Sequence, residues 1–126
     1  MKPIQFDLPL PPRCLHPNAK SHWGTKARSA KKARTDSALV AKLHAPKKPW
    51  PKAVVQFTFH LRTARGRVYL NDADNLLAAC KAVVDGFADA GIVENDRQFS
   101  FLPVRQQPAD AQGPRLSVLI FKEDER

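Results

Sequence analysis

The sequence predicts a single α+β domain in the order β-α-β-α-β-β, a mixed sheet packed against two helices, and three observations carry that reading. The chain has 126 residues of which 43% are apolar, enough for one core but not comfortably for two. Residues 53–62 alternate, with Val55, Phe57, Phe59 and Leu61 on one face and Val54, Gln56, Thr58 and His60 on the other, the period of a strand. From Asn75 to Asp89, Leu76, Leu77, Cys80, Val83, Val84 and Phe87 recur at helical spacing.

The elements follow in order. Ile4 to Leu8 alternates as a short strand, and the prolines at 9, 11 and 12 stop it. Residues 13–28 read as an irregular loop containing Arg13, His16, Lys20, His22, Trp23, Lys26 and Arg28. Ser29 is placed to cap a helix running to about Leu43, with Ala33, Ala38 or Leu39, and Leu43 on one side, ended by Pro46 and Pro49. After the strand at 53–62, Arg62, Arg65 and Arg67 fall in a Gly-containing loop. The helix from Asn75 to Asp89 is weakened by Gly86 but not forbidden. Gly91 opens a turn, and Gln98–Val104 and Leu116–Phe121 read as closing strands around a polar loop at 106–114.

Charge separates along the chain. Residues 1–70 hold 15 basic and 2 acidic side chains, a balance of +13, whereas residues 71–126 hold 6 and 10, a balance of −4. A basic half attracts a polyanion, and an acidic half repels it unless a cation sits there. A solvated basic face with no partner is the alternative. No stretch nears the roughly 20 apolar residues that span a bilayer. The opening MKPIQFDLPLPP lacks a signal peptide's apolar core. Cys14 and Cys80 form no CxxC pair and no zinc spacing. A cytoplasmic protein with reduced thiols, Cys80 packed in the core, is the expectation.

The acidic residues cluster as Asn71-Asp72-Ala73-Asp74-Asn75, then Asp85, then Glu94-Asn95-Asp96. Asp74 suits a helix N-cap before Leu76-Leu77, but capping explains neither Asp72 nor Asp96. At about 100° per residue, Asp74, Lys81 and Asp85 share one helix face, where Lys81 and Asp85 also form an ordinary i,i+4 pair. An aspartyl-phosphate phosphatase wants Thr or Val two residues past the second Asp, and Leu76 stands there. There is no P-loop, and the four histidines suggest no Ser/His/Asp arrangement, His60 being expected on the solvent face of its strand.

Asp72-Ala73-Asp74-Asn75-Leu76, a helical Lys81, and Ala90-Gly91-Ile92-Val93-Glu94-Asn95-Asp96 together resemble the RusA family of Holliday-junction resolvases. The Leu8-Pro9-Leu10-Pro11-Pro12 opening and the basic, aromatic-containing stretch after it are similar to that family too, so the resemblance spans nearly the whole chain. In one respect the chain departs. The family's lysine often stands four residues after the second Asp, a place held here by Ala78, and Lys81 stands seven after. The departure suggests a helix lengthened by three residues.

The resemblance implies a homodimer that cuts opposed strands of a four-way junction or other branched DNA. It implies that Asp72, Asp74 and Asp96 bind Mg²⁺, with Mn²⁺ as the alternative ion, and that Lys81 assists catalysis. Lys26, Arg28, Lys31, Lys32, Arg34, Arg65 and Arg67 are the expected DNA contacts, which hold phosphate without reading sequence. Trp23 is expected as a packed loop anchor, with stacking on an unpaired base as its alternative role. Two other functions compete: a catalytically inactive junction- or DNA-binding protein, and a metal-dependent hydrolase of small phosphate compounds. Clustered acids disfavour a pure binder, and the +13 half disfavours a small substrate.

Overall fold

The computed structural model describes residues 2–17, 19–20, 22–62 and 73–123. At its centre is strand β2 (Ala53–Leu61), flanked by β5 (Arg115–Lys122), which pairs in turn with β1 (Ile4–Leu8). Both of these pairings are antiparallel. On the other side of β2 lie β3 (Phe99–Phe101) and β4 (Arg105–Pro108), both parallel to it. The sheet is therefore mixed and five-stranded. β3 registers Phe99 on Ala53, and β4 registers Arg105 on Thr58, so the two run as one edge interrupted at 102–104. The sequence predicts a single strand at 98–104 and a loop at 106–114. Pro103 has no N–H to give the ladder, which breaks that strand and moves its second half to residues 105–108.

Alternation sets the layers. Val55, Phe57 and Phe59 of β2, Leu116, Val118 and Ile120 of β5, and Ile4 and Leu8 of β1 are all buried on one face. Against them lie α1 (Trp23–Lys42), α2 (Ala73–Ala79) and α3 (Lys81–Asp89), with Leu76, Cys80, Val83, Val84 and Phe87 completing the core. The α+β class and the single core agree with expectation, with three helices in place of two. The predicted helix 75–89 is divided at Cys80, whose φ of −89° and ψ of 4° lie outside the helical basin. There the ladder tightens to an i,i+3 bond, from the Cys80 N–H to the Leu77 carbonyl, before Val84 N–H returns to Cys80 at 2.9 Å. Burial pushes the Cys80 thiol up to about 12, as suits a packed core side chain.

The first helix departs further from expectation. It starts at Trp23, six residues before Ser29, and its N-cap is His22, whose Nδ1 accepts from the Gly24 N–H at 3.1 Å. Residues 23–28 carry no apolar periodicity to announce a helix. Only Ser37 and Ala41 of α1 are buried, while Leu39 and Leu43, expected inside, are 65% and 82% exposed. The reason is close approach rather than apolar fit. Ser37 Oγ donates to the Val83 carbonyl at 2.7 Å, and a Cβ added to Gly86 would stand 2.6 Å from the Arg34 carbonyl. Gly86 thus lets α1 and α3 touch backbone to backbone, and small residues line the seam. No described helix is long and apolar enough to cross a membrane.

Candidate active site

Three turns of chain bring the acidic residues together. α2 begins at Ala73, so Asp74 stands in its first turn, not at its N-cap. α3 closes with Gly91 at φ 89°, the left-handed position that glycine adopts without steric cost. The Gly91 N–H bonds the Ala88 carbonyl and the Ile92 N–H the Phe87 carbonyl, which folds the chain back and buries Ile92 and Val93. The next residues then pass alongside α3. Asn95 caps the 3₁₀ turn Asp96–Gln98: its Oδ1 accepts from Arg97 N–H at 3.0 Å, and Gln98 Oε1 accepts from Asn95 N–H at 2.8 Å. Gln98 Nε2 donates to the Pro51 carbonyl, tying the turn to the start of β2. The Asn95-x-x-Gln98 spacing is a capping-box signature readable from sequence, and sequence analysis passed over it.

That turn delivers Asp96 to Lys81. Lys81 Nζ lies 3.1 Å from Asp85 Oδ1 and 3.2 Å from Asp96 Oδ2. Both pairings raise the Lys81 ammonium above its ordinary value, Asp85 most. Lys81 in turn holds the Asp96 carboxyl below its usual range. Asp74, Leu77, Ala78, Lys81, Val84, Asp96 and Phe101 line one open cleft. The break at Cys80 places Lys81 at the start of α3 rather than within one straight helix with Asp74. Ala78, where the lysine of the resembled family often stands, and Lys81 both border that cleft. The i,i+4 pair with Asp85 and the contact with the acidic cluster coexist.

Beside the cleft, Arg34 reaches across from α1 and grips Asp89 with two hydrogen bonds, Nε to Oδ2 at 2.6 Å and a terminal nitrogen to Oδ1 at 2.8 Å. Asp89 is held below the carboxylate range by this guanidinium. Arg34 therefore belongs to the protein's own charge network, with Asp85 and Asp96 adding to the field on it. Lys32 is likewise engaged, 2.7 Å from Asp36. Lys26, Arg28 and Lys31 lie on α1 with no carboxylate partner among the described residues. Trp23 is 78% exposed and touches the His22 ring, with centroids 5.4 Å apart, rather than packing as an anchor. Asp72, Arg65 and Arg67 lie outside the described residues.

The donors that Asp74 and Asp96 offer are carboxylate oxygens, which suit a hard divalent cation such as Mg²⁺ or Mn²⁺. Among the described residues no group of three His, Cys, Asp or Glu is close enough to hold a metal ion. Any cation there competes with Lys81 for Asp96.

On the opposite face of the sheet, His60 is buried rather than solvated, and its Nε2 meets Ser117 Oγ at 2.8 Å. Ser117 Oγ gives its single proton to Asp7 Oδ1 at 2.8 Å. With its proton on the Asp7 side, Ser117 accepts from His60, so the histidine is not its base and the trio is not a Ser-His-Asp relay. It ties β2, β5 and β1 together. No family model matches the chain, and no curated protein matches it.

Proposed function

We propose that this chain is a metal-dependent, structure-selective DNA endonuclease, resolving four-way junctions by paired nicks as a cytoplasmic homodimer in recombination and repair. The observation that carries the reading is the cleft where Lys81 bridges Asp85 and Asp96 while Asp74 lines the same wall. The +13 balance of residues 1–70 supports a polyanionic substrate over a small phosphate compound. Asp72, Asp74 and Asp96 would hold the ion. A bound divalent cation supplies water activation and charge neutralisation at a scissile phosphate. Lys81 presents an ammonium where negative charge develops on phosphate oxygens, and Asp85 keeps it there when Asp96 turns to other partners. Lys26, Arg28 and Lys31, and Arg65 and Arg67 from the loop, contact the DNA backbone.

A second reading, a catalytically inactive junction- or DNA-binding protein, draws on the same cleft. Lys81 already neutralises Asp96, and Arg34 already neutralises Asp89, so the described carboxylates need no ion to coexist. Incubation with a synthetic four-way junction and Mg²⁺, beside a linear duplex, separates the two. Paired symmetric nicks on the junction are the expected result. Tight junction binding without nicks, in Mg²⁺ and in Mn²⁺, overturns the nuclease.

A further inference from the structure

The N-terminal half of α1 runs past the end of α3 and is only partly covered, by the segment from Leu8 to Leu15. α1 and α3 run antiparallel, since Ser37 meets Val83 while Arg34 meets Asp89. α3 ends at Asp89, so the 11 residues of α1 before Arg34 continue about 16 Å past it at 1.5 Å per residue. No residue of α1 before Ser37 is buried. Trp23 precedes the fully buried Ala41 by 18 residues, five helical turns, so the two share one azimuth. An indole therefore lies on the face that farther along is packed in the core, and here it is 78% exposed with the His22 ring beside it.

The chemistry around that indole selects its partner. From His22 to Thr35 the arm carries Lys26, Arg28, Lys31, Lys32 and Arg34 and no acidic residue. A protein surface seeking an apolar contact is not served by such a field, and a second copy of this arm would repel it. A nucleic acid is attracted to it, and every base has a π-face on which an indole stacks, provided the base is not already stacked on both sides.

We infer that Trp23 is a stacking platform for an unstacked base, carried by a basic arm that holds the flanking phosphates. The inference rests on the DNA reading above and adds to it a reason for preferring branched over linear DNA. Phosphate contacts are the same on both, but only a crossover or single-stranded end offers an open base face.

The test is binding without cleavage, in EDTA, measured by fluorescence anisotropy on a four-way junction and on a duplex of the same arm sequence. Trp23→Ala should lose about tenfold in junction affinity, at the lower end of what one base–aromatic stack is worth. Duplex affinity should stay within about twofold, because it rests on phosphate contacts. Trp23→Phe should restore most of the loss, and 2-aminopurine at the crossover should be quenched by the wild type but not by Trp23→Ala. Because Trp23 is exposed, thermal melting should be unchanged. Equal junction binding by wild type and Trp23→Ala overturns the inference and leaves the nuclease reading standing. Equal losses on junction and duplex also overturn it, as does a shift from dimer to monomer in light scattering with DNA affinity intact. A wild-type chain that binds neither DNA overturns both readings together.

Discussion

Helices α1 and α3 touch along one seam and obey different rules. In α3, Ala82, Val83, Val84, Gly86 and Phe87 of nine residues are buried, and its position follows from the core it closes. In α1, with 20 residues, only Ser37 and Ala41 are buried. A helix with so little of itself in the core keeps most of its surface for something outside it, whereas α3 and the turn after it bring Lys81 and Asp96 together. Carboxylates gather on α3 and the turn after it, and cations on the first turns of α1. In the proposed nuclease the first would position reacting groups within ångströms, and the second would supply affinity that tolerates looseness.

The comparison breaks most visibly at the carboxylates. Replacing Asp72, Asp74 or Asp96 by Asn should lower single-turnover cleavage by about 100-fold or more, with junction binding kept or tightened as negative charge leaves the cleft. A variant cutting at wild-type rate in Mg²⁺ is not a metal ligand. Chelation by EDTA should abolish cleavage and spare binding in the same way.

Next in size is the seam itself. Gly86→Ala drives a methyl against the Arg34 backbone and should destabilise the fold by about 1–3 kcal/mol in urea. A neutral Gly86→Ala would mean that the helices separate at no cost, and the contrast between α1 and α3 would lose its basis.

Lys81→Ala should slow cleavage about tenfold or more with the fold kept, since an ammonium facing a developing charge acts through the transition state. Asp85→Ala should do much less harm. If Lys81→Ala changes the rate by less than about twofold, the lysine is a surface pair and nothing more. Salt dependence then tests the overhang. Lys26, Arg28 and Lys31 changed together to Ala should flatten the log–log salt slope by up to about 2.7, at roughly 0.9 per phosphate contact. Changing Lys32 and Arg34 should flatten it less, because both already face carboxylates.

The smallest effect is in pH. Lys81 depresses the Asp96 carboxyl, so the stabilisation from this pair is present above the ordinary carboxylate range and fades as pH falls through the lowered value. Carbon-detected NMR of the Asp96 carboxyl should show a midpoint below that of an ordinary aspartate, and Lys81→Ala should move it up. An unmoved midpoint would mean that the two side chains do not meet in solution.

The two regions also differ in how far sequence alone discloses them. Strand β2 and the buried stripe of α2 and α3 announce themselves through period, whereas Asp74, Lys81 and Asp96 are singled out by the resemblance to the RusA motif. The division at Cys80 does not, because a single residue leaving the helical basin changes no apolar position. Leu39 and Leu43 mislead for a related reason: hydrophobicity marks the inner face of a helix only when side chains fill the gap. Ser37 lies against Gly86, where there is no gap to fill. The start of α1 hides because its first turns are polar and its cap is a histidine rather than Ser, Thr, Asp or Asn.

The Ser37–Gly86 contact has one mechanical consequence. It is a pivot from which Trp23 lies 14 residues or about 21 Å away at 1.5 Å per residue. A rotation of about 5° at the pivot swings Trp23 by nearly 2 Å at this lever length. The same rotation leaves the residues beside Gly86 almost where they were. One glycine thus gives the two ends of α1 unequal leverage: a turn that is small at the seam is large at Trp23.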